Sequence, residues 1–404
     1  MFASLLHLVF SLAGMVLLLA TLPLFVELLL LSLAAAMPSR RAPSAEPAPG
    51  FRLTVIIPAH NEQQLIGQCV RSVLAQATPN LAVYVVAHNC GDATALHARE
   101  AGAEVLTLND ATGGKGTALD FGFRHALAAG AEAALVIDAD SVAGPGMFDA
   151  FAAAFAAGAE ALQCRYVAAN ADTTPRTRLA ALALLGMNVL RPLGRSRLGL
   201  SCGIFGNGFA LSAATLARVP YVANSLVEDL EYHLHLLDAE IRVRFLADVA
   251  VYGEMPEGSA AAAGQRARWE GGRILMRRMW TGPLLRKALR GRLDLVEPLL
   301  DLLAFPLATE VVLLLLALGL AVVARIPWLE FYAVIGLLAA SLYLVVSASL
   351  APSPWQSVRA LLSAPAFVFW KLLMIPRTRR AARSGSAWVR TRRNAETDDP
   401  PEAK

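Results

Sequence analysis

Apolar residues are spread unevenly along this chain. Residues 2–36 form an almost unbroken apolar run, interrupted by His7 and Glu27. Ala34-Ala35-Ala36 resembles a signal-peptide cleavage site, but no basic region precedes the run. The run also far exceeds the apolar core of a signal peptide, about 7–15 residues. The pattern predicts an uncleaved membrane anchor over 1–36. Residues 37–50 contain four prolines and read as a linker. From Leu53 to about Ala168, short apolar runs alternate with amphipathic stretches. Leu53–Pro58, Ala82–Ala87, Glu104–Leu108 and Ala134–Asp138 read as strands. Gln64–Gln76, Ala93–Ala101 and Gly116–Ala129 read as the helices between them. This alternation predicts a doubly wound, mostly parallel α/β sheet covered on both faces, within a domain over 51–260. In such sheets ligands bind beyond the carboxyl ends of the strands.

After Trp280 the chain becomes membrane-like again. A basic interfacial segment over 261–296 leads into two expected spans, Leu302–Ala324 and Phe331–Leu350, within 297–350. Leu361–Ile375 is shorter: about 15 helical residues cover about 22 Å of a core near 30 Å. The first positive charges, Arg40 and Arg41, follow the anchor and place the next domain in the cytoplasm by the positive-inside rule. Two further spans return the chain to the cytoplasm, and a third would carry an arginine-rich tail across. Residues 357–376 are therefore expected to form an interfacial or re-entrant helix, before a basic then acidic cytosolic tail over 377–404.

Composition agrees with this layout. Hydrophobic residues make up 56% of the chain and charged residues 17%, so part of it is expected to face lipid. The net charge of +4 is small, but residues 377–393 hold seven arginines and no acid. Beside apolar segments such runs mark cytoplasmic flanks that touch anionic lipid. No nucleic-acid motif accompanies them, which argues against a nucleic-acid partner. Cys69, Cys90, Cys164 and Cys202 lack zinc-like spacing and are expected to be reduced and structural.

The most informative tripeptide is Asp138-Ala139-Asp140, ending the run Ala-Leu-Val-Ile. A hard divalent cation held by carboxylate oxygens neutralises charge on a departing nucleoside diphosphate. Alone, two aspartates one residue apart are more often a surface turn, and the strand context brings the two readings level. Pro58-Ala59-His60-Asn61-Glu62 follows the first strand, where a base or ribose could lie, although Asn61 could simply cap the next helix. His88-Asn89-Cys90-Gly91-Asp92 follows the second strand and could be an ordinary turn. Gly113-Gly114-Lys115-Gly116 precedes a helix, where backbone amides and a lysine suit a phosphate. It is not a Walker loop, because Gly116 stands where Ser or Thr should be.

Val227-Glu228-Asp229 offers a base for a hydroxyl acceptor. Ser225-Leu226-Val227-Glu228 fits a capping box, which makes Glu228 structural and Asp229 the catalytic candidate. His233 and His235, further along that helix, are expected to face solvent. In Gln265-Arg266-Ala267-Arg268-Trp269, Arg268 can clamp a diphosphate and Trp269 offers a flat face for a sugar ring. An interfacial helix would carry Arg and Trp in any case.

Taken in order, Pro-Ala-His-Asn-Glu, Asn-Cys-Gly-Asp, Gly-Lys-Gly-Thr-Ala-Leu, Asp-Ala-Asp, Glu-Asp and Gln-x-x-Arg-Trp resemble the family 2 glycosyltransferases. The likeness covers about residues 52–280 and is greatest to the membrane-integrated branch of cellulose, chitin, hyaluronan and poly-N-acetylglucosamine synthases. It implies a GT-A fold, a UDP-sugar donor, Mg²⁺ or Mn²⁺, and inversion at the anomeric carbon. By position it implies that Ala59, Glu62, Asp92 and Lys115 contact the nucleotide. Asp138 matches the nucleotide aspartate, Asp140 the metal aspartate and Asp229 the base. Gln265, Arg268 and Trp269 match the acceptor and diphosphate motif, and Gly206 and Asn207 lie in Ser201–Gly208, where the family places its acceptor loop. Two features depart from the pattern. His88 stands where many members have an aspartate, and three spans are few for a polysaccharide channel in one chain. The expected activity is sugar transfer to a hydroxyl at a bacterial-type inner membrane, in exopolysaccharide synthesis with an export or partner subunit. The alternatives are a single transfer to a membrane lipid, as in ceramide glucosyltransferases, and a catalytically silent nucleotide-sugar-binding scaffold.

Overall fold

The computed structural model describes residues 2–38, 50–76, 78–110, 113–381 and 394. Most of the expected linker, with Arg40 and Arg41, and nearly all of the tail after residue 381 lie outside the described residues.

Eight strands make one sheet: β1 (Leu53–Ala59), β2 (Leu81–His88), β3 (Glu104–Leu108), β4 (Ala133–Val136), β5 (Ser141–Ala143), β6 (Ala161–Ala168), β7 (Phe209–Ser212) and β8 (Val243–Gly253), in the order β3-β2-β1-β4-β7-β6-β8-β5. The first four, all expected from the apolar pattern, pair in parallel, with Ala59 opposite Ala87 and Ile56 opposite Val136. The other half is mixed: β7 runs antiparallel to both β4 and β6, and β5 antiparallel to β8. Both faces of the sheet are covered. Val55 and Ile57 enter one core with Cys69, Val70 and Phe151. Their neighbour Ile56 enters the other with Leu119, Phe123 and Tyr232. That alternation along one strand explains why β1 reads as a continuous apolar run rather than a period of two.

The topology brings the site together. The carboxyl ends of β1, β2 and β4 share one rim because these strands are parallel. β7 runs against β4 with Phe209 opposite Val136, so the loop entering β7 arrives at that same rim.

Among the described residues, three helices are long and apolar enough to cross a membrane: Leu5–Ala36, Leu307–Ala324 and Pro327–Ser349. They pack on one another through Ala317, Ala321, Leu329 and Ala333, with Phe10 and Leu17 against that cluster. The expected span beginning at Leu302 is shortened. A separate helix, Val296–Leu303, ends first, and Pro306 caps the next one. The basic segment is one long helix, Ser259–Leu289. Within the expected 361–375 helix, Ala364–Leu373 is helical.

Where these helices meet the sheet domain lies a buried network of charges. Glu27 of the first helix pairs with Arg191 and, at 2.9 Å, with Arg195. Arg195 also reaches Glu297 at 2.6 Å, while Asp301 receives Arg191 at 2.5 Å and Arg273 at 2.9 Å. The interruption at Glu27 in the apolar run is thus one end of a tie between the first helix and the sheet domain.

Candidate active site

The rim begins with two loops stitched to each other. After β1, Asn61 adopts a left-handed backbone (φ 55) and its side-chain oxygen accepts the Gly91 N–H at 2.8 Å. Asn61 is therefore not a helix cap, and the helix Ile66–Leu74 begins after Leu65 with no side-chain cap at all. His60 Nδ1 donates to the His88 carbonyl at 2.8 Å. Asp92 accepts the Gln63 N–H at 3.2 Å on one oxygen and the Thr94 N–H at 3.0 Å on the other. Glu62 is buried, and its N–H donates to Thr94 Oγ1 at 2.7 Å. Ala59, also buried, ends β1 beside Ala87. Ala59, Glu62 and Asp92 thus lie together at this rim, with both Asp92 oxygens accepting backbone N–H groups of the turn. His88 is buried and pairs with Asp110 at 2.9 Å, and that hydrogen bond holds the Asp110 carboxyl below its ordinary range.

The second part of the rim is centred on Lys115, the first residue of the helix Lys115–Ala128. Its ammonium lies 2.5 Å from Asp138 Oδ1 and 3.8 Å from Glu228, and it donates to the Gly206 carbonyl at 2.7 Å. Burial opposes the charge on Lys115, but Asp138 and Glu228 outweigh it and hold its pKa above the usual lysine value. Gly116 makes this approach possible: a Cβ there would stand 1.9 Å from the Ala223 carbonyl oxygen. No side chain can occupy that space without moving the segment that leads into Glu228.

Asp138 and Asp140 flank Ala139 between β4 and β5, and both are half-buried. The Asp138 N–H donates to Asn207 Oδ1 at 3.1 Å. Asn207 Nδ2 donates to Ser141 Oγ at 2.9 Å, and Ser141 in turn donates to Asp140 at 3.2 Å. Asn207 is fully buried, so it fixes the two aspartates from behind rather than facing an acceptor as expected. Gln163 on β6 has the same kind of role and was not singled out from the sequence. It is fully buried, donates to the Asn207 carbonyl at 2.8 Å and accepts the Phe205 N–H at 3.0 Å. A glutamine within the apolar opening of β6, Ala161–Cys164, was the available signal.

The helix Glu228–Asp238 completes the site. The expected capping box does not form: Val227 is the capping position without a side-chain bond, and the Ser225 N–H donates to Glu231 instead. Glu228 faces Lys115, and burial pushes its carboxyl up to about 7 against the pull of that lysine. Asp229 is also raised, by burial, against the Leu230 N–H, Lys115 and Arg268. A Cβ added at Gly206 would lie 3.2 Å from Asp229 Oδ2, which places this carboxylate beside the 201–208 loop. His233, expected in solvent, is buried and hydrogen-bonded to Ser201 Oγ at 2.9 Å. Burial and the nearby Arg195 guanidinium push its imidazole down to about 3, so it is a neutral brace for that loop. His235 is half-buried with its ring edge-on to Trp280 at 5.3 Å.

Gln265, Arg268 and Trp269 lie on the helix Ser259–Leu289. A Cβ at Gly272 of this helix would stand 2.6 Å from Val227 Cγ1, so glycine lets the helix lie directly against the residue before Glu228. One turn earlier, Arg268 acts electrostatically on Asp229. Gln265 and Arg268 are half-buried, while Trp269 is exposed, a flat ring open to a ligand.

The site thus holds hard oxygen donors near cations that suit phosphate. Among the described residues no group of three or more His, Cys, Asp and Glu side chains forms a ready cation cage. That still fits Mg²⁺ or Mn²⁺ bound through one or two carboxylates, with substrate phosphates and water completing the shell.

A family model described as "Glycosyltransferase like family 2" matches residues 49–272. Among solved structures, a mannosyltransferase from Pyrobaculum calidifontis in complex with GDP-Man and Mn²⁺ is similar over 94% of this chain and 97% of its own, at 19% identity and TM-score 0.54. Glucosyl-3-phosphoglycerate synthase from Mycobacterium tuberculosis, in complex with Mn²⁺, UDP and phosphoglyceric acid, is similar over 55% of this chain and 77% of its own, at 19% identity and TM-score 0.40. No curated protein matches the chain.

Proposed function

Because the chain belongs to glycosyltransferase-like family 2, we propose that it is an inverting, metal-dependent enzyme moving a sugar from a nucleoside diphosphate donor to a hydroxyl acceptor at a membrane. The observation that carries this reading is the convergence of Lys115, Asp138, Glu228 and Asp229 at one rim. Asp140, with Asp138, would hold Mg²⁺ or Mn²⁺, which neutralises charge on the departing diphosphate when bound. Lys115 and Arg268 supply cationic contacts for the phosphates. Asp229 takes the proton of the acceptor hydroxyl. That oxygen forms its bond to the anomeric carbon from the face opposite the diphosphate, and the bond to the diphosphate oxygen breaks, releasing nucleoside diphosphate with inversion. A raised Asp229 pKa suits this role, since a base works best with a pKa nearer the working pH. UDP-sugars are the donors expected from the motifs.

The three apolar helices support placement in a membrane, and the positive charges of Arg40 and Arg41 after the first of them favour the cytoplasmic side for the sheet domain. Exopolysaccharide growth by this chain needs an export or partner subunit to supply a passage. The close packing of the three helices favours a second product, a single sugar on a membrane lipid. Membranes fed labelled UDP-sugar separate the two, as a polymer ladder or one lipid-soluble band. Asp229→Asn tests the reaction itself: transfer should fall by about 10²–10⁴-fold with the circular dichroism spectrum unchanged. Substantial transfer by this variant would refute the assignment of the base.

A further inference from the structure

The helix Ala364–Leu373 and its flanks have two chemically different faces. One is turned onto the helix that carries Gln265–Trp269. Lys371 pairs there with Glu270 at 2.8 Å, and Arg266 lies 4.9 Å above the Phe367 ring. Met374, just beyond, packs on Ala263 and Ala267. Lys371 is 8% exposed, so this is a buried latch and not a surface pair.

The opposite face is apolar and open. Phe369 is 66% exposed and Leu373 65%, with Leu362 at 85% before them and Trp355 at 71% on the preceding helix Pro354–Ala360. Contiguous apolar surface of this kind marks an interaction face. A ten-residue helix rises about 15 Å and cannot cross a bilayer. It touches the apolar helix Leu307–Ala324, and Pro354–Ala360 touches Pro327–Ser349, so both short helices sit beside the long apolar ones. Arg359 and Arg377 are exposed in the same segment, which suits anionic headgroups.

We propose that residues 354–377 form a docking surface for an anionic lipid leaflet, and that the Lys371–Glu270 pair transmits docking to the Gln265–Trp269 segment. Lys371 is then a positioning residue: it meets no substrate and acts through Glu270. Only the kinetic readout rests on the transferase reading.

The test uses the full chain in vesicles of phosphatidylcholine with or without phosphatidylglycerol, their acyl chains brominated. Subtracting the Trp355→Phe spectrum isolates Trp355. Its fluorescence should be quenched, more so with phosphatidylglycerol, and the quenching should be lost in Phe369→Glu/Leu373→Glu. Unquenched Trp355 in the unaltered chain would overturn the docking surface, and equal quenching in both vesicles would overturn its anionic preference. Lys371→Ala should speed hydrogen exchange over 259–270 and raise the acceptor KM about tenfold, the scale of one charge-assisted hydrogen bond, with kcat retained and Lys371→Arg restoring both. Unchanged exchange overturns the latch. If the unaltered chain transfers no sugar, the transferase reading fails, while quenching and exchange still decide the docking and the latch.

Discussion

Two clusters of charge in this molecule, one buried beneath the apolar helices and one at the half-buried rim of the sheet, are built on opposite balances. Around Glu27, three guanidinium groups (Arg191, Arg195, Arg273) meet three carboxylates (Glu27, Glu297, Asp301) in direct pairs. Around Lys115, four carboxylates (Asp138, Asp140, Glu228, Asp229) share a rim with Lys115 and Arg268. A balanced set needs no further counter-ion and serves as a joint between helices. A set with surplus negative charge repels an anionic donor unless a cation arrives with it. The difference separates a structural cluster from a ligand-binding one, although both are built from the same residue types.

The sharpest way to break the balanced cluster is to remove one member. Arg195→Ala leaves Glu27 and Glu297 short of a partner and should cost about 3–5 kcal/mol. Thermal unfolding should show it as a large fall in Tm, and an unchanged Tm would contradict a structural role. In the unbalanced cluster the corresponding change spares the fold. Asp140→Ala should reduce transfer at least about 10²-fold while Tm stays near that of the unaltered chain. Chelation sharpens the contrast further. Titration calorimetry should show nucleoside diphosphate binding about tenfold or more weaker without divalent cation, as expected when surplus carboxylates face a diphosphate. Equal affinity with and without metal would remove the case for charge-matched binding.

The smallest effect concerns pH. Glu228 titrates near 7 because burial penalises its ionised form, and Asp229 is raised for the same reason. Protonation of both as pH falls removes the base and a counter-charge of Lys115, so transfer should decline on acidification from about 7. In Glu228→Gln the inflection near 7 should disappear and leave a lower acid limb from Asp229. An acid limb at the ordinary carboxylate pKa in the unaltered chain would show that burial does not tune this pair.

The parallel half of the sheet was legible in sequence because strands buried on both faces read as short apolar runs separated by amphipathic helices. Asp138 and Asp140 were legible because they end such a run. What the sequence hid depends on contacts between distant segments. Ser225 and Glu228 have capping-box spacing, yet Lys115, more than a hundred residues earlier, sits opposite Glu228. His233 looked like a surface histidine because its partner, Ser201, is remote. Asn207 lies in the expected loop, but only the antiparallel entry of β7 turns its amide toward Asp138. Glu27 stood out as an interruption, while its partners, from Arg191 to Asp301, gave no periodic sign of convergence.

The 2.5 Å contact between Lys115 and Asp138 has one further consequence. Lys115 already gives Asp138 an internal counter-charge, so a cation arriving beside Asp138 would have to compete with the ammonium. Donor entry is then an exchange of partners rather than a filling of empty space.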